Sequence, residues 1–229
     1  ENNTTADSNN AFGRRALYTN TTGAQNSAFG YLALLSNTTA SYNTAFGTSS
    51  MQANTTGIQN VAVGYAALDA NTTAANNTAV GNEAMGTNTT GTQNAAFGVA
   101  ALILNTTGSS NTALGPYALK VNTTASNNTA VGWEALVSCT TGPANVAVGK
   151  SSSNALTTGA NCTSIGHNSA PVLTTGSNNM CLGNNSGKSG SPGGTLITDS
   201  NHIMVGDGSV TNAHIQVDWT VASDQRDKT

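Results

Sequence analysis

One unit of 17 residues recurs eleven times with no insertion or deletion, and that period limits what the chain can fold into. A clean copy runs from Asn71 to Thr87, as Asn-Thr-Thr-Ala-Ala-Asn-Asn-Thr-Ala-Val-Gly-Asn-Glu-Ala-Met-Gly-Thr. Copies begin at Asn3, Asn20, Asn37, Asn54, Asn71, Asn88, Asn105 and Asn122, and then at Cys139, Leu156 and Leu173. A unit this short cannot bury an apolar face alone, so each copy must cover the next. Asn, Thr and Gly at fixed places give it poor helix propensity. Segments such as Thr78-Ala79-Val80, bounded by Asn and Gly, read as brief strands between corners. The expected fold is all-β. It is a parallel β-solenoid, or β-roll, of eleven coils over residues 3–189, followed by a small C-terminal β region over 190–229. Coils about 4.8 Å apart would make a rod roughly 50 Å long.

Composition enters as a filter on partners. Only 7% of residues are charged and the formal net charge is −3, with no basic run, so nucleic acid is not an expected partner. No apolar stretch approaches the roughly 20 residues of a membrane span, and no membrane insertion is expected. Apolar residues fixed at the same positions of every copy argue against disorder. Cys139, Cys162 and Cys181 fall at the first, seventh and ninth positions of successive copies, which excludes a disulfide ladder between equivalent sites and suggests buried thiols. No ligand set accompanies His167, so no metal or cofactor is expected.

With the first Asn as position one, position eleven is always Gly: Gly13, Gly30, Gly47, Gly64, Gly81, Gly98, Gly115, Gly132, Gly149, Gly166 and Gly183. Such constancy implies a corner with positive φ or close backbone approach. Position ten is always larger and apolar: Phe12, Phe29, Phe46, Val63, Val80, Phe97, Leu114, Val131, Val148, Ile165 and Leu182. Position fifteen is Leu or Met through Leu136, then Ser153, Ala170 and Gly187. Positions ten and fifteen are therefore the expected core. Neighbouring strand residues face opposite ways, so position nine should face outward. It carries Ala28, Ala45, Ala62, Ala79, Ala96, Ala113, Ala130 and Ala147. Two explanations fit an outward file of small residues: contact with an identical chain, or a coil too tight for anything larger. Contact in a homotrimer is the expectation, and the alanines at position fourteen fit the same pattern.

Position one offers Asn20, Asn37, Asn54, Asn71, Asn88, Asn105 and Asn122 as an amide ladder along the stack. Its replacement by Cys139, Leu156 and Leu173 implies that the position faces inward. Each Asn-Thr-Thr is also a formal glycosylation acceptor, as are Asn76-Asn77-Thr78 and Asn161-Cys162-Thr163. The ladder is the preferred account of the Asn-Thr-Thr asparagines. The paired threonines at positions two and three should leave one outward file, so ice binding is a minor alternative beside corner capping. Arg14, Arg15, Tyr31, Tyr42, Tyr65, Trp133, Glu134, Lys150 and His167 occupy variable positions and should decorate the edges of the rod.

The period stops at Gly190. Gly190-Ser191-Pro192-Gly193-Gly194 reads as a loop and Gly206-Asp207-Gly208 as a turn. Ile215, Val217, Trp219 and Val221 alternate with polar residues as a half-buried strand capping the rod.

Two stretches resemble known families. Val217-Asp218-Trp219-Thr220-Val221-Ala222-Ser223-Asp224-Gln225-Arg226-Asp227-Lys228 resembles the junction that opens an endosialidase-type intramolecular chaperone, a C-terminal domain of phage tail fibres and tailspikes. The resemblance implies a self-cleavage junction involving Ser223 and Asp224, with the cut after Ala222. The repeats resemble arrays in predicted tail-fibre-domain proteins. Asn77-Thr78-Ala79-Val80-Gly81 also looks like the repeat of trimeric autotransporter adhesin heads, implying a left-handed, trimeric β-roll. These resemblances suggest a structural fibre protein in a virion tail fibre or at a cell surface, serving attachment to a host glycan or protein. A cellular adhesin or filament subunit, with or without glycans on its Asn-Thr-Thr motifs, is the alternative. No enzyme is expected beyond the self-cleavage that the resemblance implies.

Overall fold

A computed structural model describes residues 6–191 and 194–211. The repeat forms a parallel β-solenoid with one three-residue strand in each coil. The strands are β1 (Asn10–Phe12), β2 (Ser27–Phe29), β3 (Thr44–Phe46), β4 (Val61–Val63), β5 (Thr78–Val80), β6 (Ala95–Phe97), β7 (Thr112–Leu114), β8 (Thr129–Val131), β9 (Val146–Val148), β10 (Thr163–Ile165), β11 (Met180–Leu182) and β12 (Ile203–Val205). They form one sheet in sequential order. Register is uniform: Thr78 pairs with Ala95, Ala79 with Ala96 and Val80 with Phe97, each position meeting its own kind. Among the described residues there is no helix.

The chain turns by repeated excursions to positive φ. Gly81 sits at φ 140°, and Asn76, Glu83 and Met85 at 61°, 53° and 53°. The expected Gly corner is present, with Gly13 through Gly166 all between 129° and 140°. Position fifteen is less expected in this region, because a left-handed conformation costs a bulky L-residue about 1–2 kcal/mol. It is compensated by burial. Leu34, Met51, Leu68, Met85, Leu102, Leu119 and Leu136 have no exposed surface, and burying such a side chain contributes roughly 1.5–3 kcal/mol.

Strand parity is the reverse of the expectation. Ala28, Ala45, Ala62, Ala79, Ala96, Ala113, Ala130 and Ala147 are completely buried, so position nine faces the interior. The alanines at position fourteen, Ala33 through Ala135, are buried as well. Neither file is a subunit contact. The supposed core residues Phe12, Phe29, Phe46, Val63, Val80, Phe97, Leu114, Val131, Val148, Ile165 and Leu182 instead lie on the outer face of the sheet, exposed or half-buried. The cause is the narrowness of a 17-residue coil. Leu or Met at position fifteen fills the interior together with Ala from positions nine and fourteen. A phenylalanine at position nine would not fit among them.

The last coils keep a filled interior with different residues. Where position fifteen shrinks to Ser153, Ala170 and Gly187, position one changes from Asn to Cys139, Leu156 and Leu173, all buried. In the two leucine coils the large apolar side chain moves from position fifteen to position one.

The solenoid also runs past its expected end. Met180, Cys181 and Leu182 pair with Ile203, Met204 and Val205. Thr174 N–H donates to Ile197 O at 2.7 Å, and Asn178 Nδ2 to Asn201 Oδ1 at 2.8 Å, across 23 residues rather than 17. A six-residue insertion hides a twelfth coil, with 23 residues between equivalent atoms in place of 17. Leu196 takes the buried place of Leu173 in it. The boundary at 189 is therefore an interruption in the sequence and not the end of the shaft. The turn at Gly206-Asp207-Gly208 is present, with Val210 N–H donating to Asp207 O at 3.2 Å. The strand expected over Ile215–Val221 and the Ser223–Asp224 junction lie outside the described residues.

Candidate functional surface

The inside of the rod carries two amide ladders. At position one, Asn37 Nδ2 donates to Asn20 Oδ1 at 2.8 Å and to Ala40 O at 3.0 Å. The same pair of bonds recurs at Asn54, Asn71, Asn88, Asn105 and Asn122. At position seven, Asn43 N–H donates to Asn26 Oδ1 at 3.0 Å, while Asn43 Nδ2 donates to Gly57 O at 2.8 Å. Buried amides are affordable only with such partners. The expected ladder at position one is thus present, and its asparagines are sealed from any glycosylating enzyme in the folded rod. Asn76 and Asn161, by contrast, stand on the exposed corner at position six.

The position-one ladder stops at Cys139, which donates its thiol to Gly142 O at 3.3 Å. Asn122 Oδ1 above it is buried without a partner, as is Asn128 Nδ2. Cys139→Asn supplies the missing amide donor. The expected result is a stabilisation of about 1 kcal/mol, read as a higher urea midpoint at unchanged m-value.

All three cysteines are free and buried. Burial pushes the thiols of Cys139 and Cys181 up to about 11 and that of Cys162 upward as well. The protonated form is the one the fold favours, so this contribution to stability is present at neutral pH and declines as pH rises from about 9 through 11. At neutral pH the thiols are inert. No group of three or more His, Cys, Asp or Glu side chains suited to a metal occurs among the described residues.

Outside, the threonines divide as expected. Thr38, Thr55 and Thr72 at position two turn their hydroxyls to the carbonyl of the equivalent Thr in the next coil, at 3.0–3.3 Å. Thr39, Thr56 and Thr73 at position three are exposed and form a single file. The edge residues also take their expected places. Arg14 lies 5.7 Å from the Tyr31 ring centre and Lys150 4.9 Å from that of Trp133, one coil apart in each case. Tyr42 and Tyr65 are exposed, and His167 Nδ1 lies 3.1 Å from Asn184 Oδ1.

The sheet face is what sequence reasoning missed. Outward positions eight and ten present an uncharged surface on every strand, with sequences from NAF and SAF at one end to MCL and IMV at the other. At the first coils Phe12, Phe29 and Phe46 stack along the rod, with ring centres 6.5 and 5.8 Å apart. Together with Gly30, Gly47 and Thr48 they line a shallow apolar recess of about 590 Å³. The signal was available. Position ten varies from Phe to Val between adjacent coils, which an interior of fixed width would not tolerate, whereas position nine never carries a large side chain in the eleven repeats.

These features define a parallel β-solenoid repeat protein. No family model, curated protein or solved structure matches the chain.

Proposed function

We propose that the chain is the shaft of a fibre that attaches a virion or a related appendage to a host surface, built from three copies of itself. The observation that carries this reading is the stack in one register from β1 to β11, continued by β12 after a single insertion. Each added coil lengthens the rod by one strand spacing of about 4.8 Å, so the architecture yields reach and stiffness in proportion to repeat number. The resemblance of Val217–Lys228 to a chaperone junction and of the repeats to tail-fibre arrays supports the viral assignment. Host-binding groups, for a cell-surface glycan or protein, would sit on the edge file that holds Tyr31, Tyr65 and Trp133 or elsewhere on the fibre.

Immunogold electron microscopy with antibody against the rod tests the proposal. Gold on virion tails is the expected result. Labelling of the surface of uninfected cells would overturn the viral assignment in favour of a cellular adhesin.

A further inference from the structure

We infer that the outward face of the sheet, positions eight and ten, is where further copies of this chain pack against it, parallel and in register. The inference deepens the fibre reading and relies on it for the number of chains. It begins with an apolar surface that water does not favour. Phe12 and Phe46 are 74% and 58% exposed and Val205 58%, and every coil between Phe12 and Leu182 adds another apolar side chain at position ten. With aromatic side chains burying roughly 200 Å² each, this file leaves on the order of 800 Å² of side-chain surface uncovered. A typical monomer shows a largest apolar patch of about 300–600 Å². One partner's share of a standard stable interface is about 800 Å².

Charge and period select the partner. Neither outward file carries a charged residue on any of the twelve strands. Arg14, Arg15, Asp69, Glu83, Lys120, Glu134 and Lys150 all stand on positions twelve, thirteen and sixteen instead. The face is therefore kept uncharged, apolar along position ten and mostly Thr, Ser or Asn along position eight, while its neighbours are free to be charged, the composition of an interface centre with a polar rim. Its ridges repeat at the coil spacing along the whole rod. A surface that matches them over this length must have the same rise, and a second copy has it. Cyclic closure about an axis parallel to the rod brings each coil to the level of its counterpart, so that Phe12, Phe29 and Phe46 meet their equivalents and the recess between them is filled.

The test uses the whole chain. Light scattering behind size exclusion should return a multiple of the monomer mass. Val80→Asp places a charge in the middle of the face. Because Val80 lies on the outside of the coil, the variant should keep its circular dichroism spectrum, while its association weakens by about 100-fold or more. Val80→Cys should form an interchain disulfide under mild oxidation, and Thr73→Cys, on the exposed position-three file, should not. The three native thiols are buried and do not compete. A monomer at every concentration overturns the inference, and so does an oligomer indifferent to Val80→Asp. An oligomer in which Val80→Cys fails to cross-link, or Thr73→Cys links equally well, overturns the in-register face. A monomeric chain whose antibody still decorates virion tails would remove this interface and the three-copy assembly, and leave the assignment to a virion fibre standing.

Discussion

Gly81→Ala should destabilise the middle of the rod by about 4 kcal/mol, while Gly86→Ala five residues later should cost nothing. Gly81 holds φ 140°, a conformation that residues with a Cβ rarely occupy and that carries a strain of about 1–3 kcal/mol. A Cβ built there falls 2.6 Å from the Gly98 carbonyl carbon and closer still to its oxygen. Both atoms belong to the backbone of the next coil, and that coil is held in turn by the one after it. The overlap cannot be relieved by a rotamer change. Gly86 lacks positive φ, and a Cβ on it meets nothing nearer than Glu83 O at 3.4 Å. Its alanine variant is expected to be neutral or stabilising by up to about 1 kcal/mol through the unfolded state. Urea unfolding measures the difference. Because stability in a stacked array is a sum over neighbouring units, hydrogen exchange should show the loss concentrated in the coils around β5 and β6. Equal effects at the two glycines would mean that the corner is not what fixes coil spacing.

Much of this was legible in the sequence, and the failures share a cause. The period gave the stack, Gly at position eleven gave the corner, and replacement of Asn by Leu156 and Leu173 gave an inward position one. Each of these follows from local chemistry repeated at a fixed interval. The error at Ala79 and Val80 came from applying a globular expectation, large apolar inside and small residue outside, to a coil only 17 residues around. In this coil the strand contributes only the methyl group of Ala79 to the interior, and the volume comes from Met85. The hidden twelfth coil has a different origin. Its Leu196, Ile203 and Val205 keep the pattern of Leu173, Met180 and Leu182, yet six inserted residues shift the count. A strict period cannot register an insertion that leaves the stacking on either side of it intact. The exposed face was misplaced for the same reason as the core, since the two are the opposite sides of one strand.

The amide ladder is where one side chain matters most after the corner glycine. Asn71→Ala should cost about 3 kcal/mol. Asn71 Nδ2 donates to Asn54 Oδ1 at 2.8 Å and to Ala74 O at 3.1 Å, and Asn71 Oδ1 accepts from Asn88 Nδ2 at 3.1 Å. Ala74 O keeps a second donor in Asn60 Nδ2 at 2.8 Å. Asn54 Oδ1 is left buried with none, and Asn88 loses one of its two acceptors. Each such group costs about 1–3 kcal/mol. Asn122 provides the comparison. Its Nδ2 makes the equivalent bonds to Asn105 Oδ1 and Ala125 O, at 2.8 and 3.1 Å, but its own Oδ1 accepts nothing. Asn122→Ala should therefore cost about 1 kcal/mol less than Asn71→Ala, the worth of one rung. In the Cys139→Asn background that rung is restored, and the cost of Asn122→Ala should rise to match Asn71→Ala. The coupling between 122 and 139 in a double-mutant cycle then measures the rung directly. A coupling of zero would show that the ladder oxygens gain nothing from the coil below them, and that backbone stacking and the buried leucines hold the rod without them.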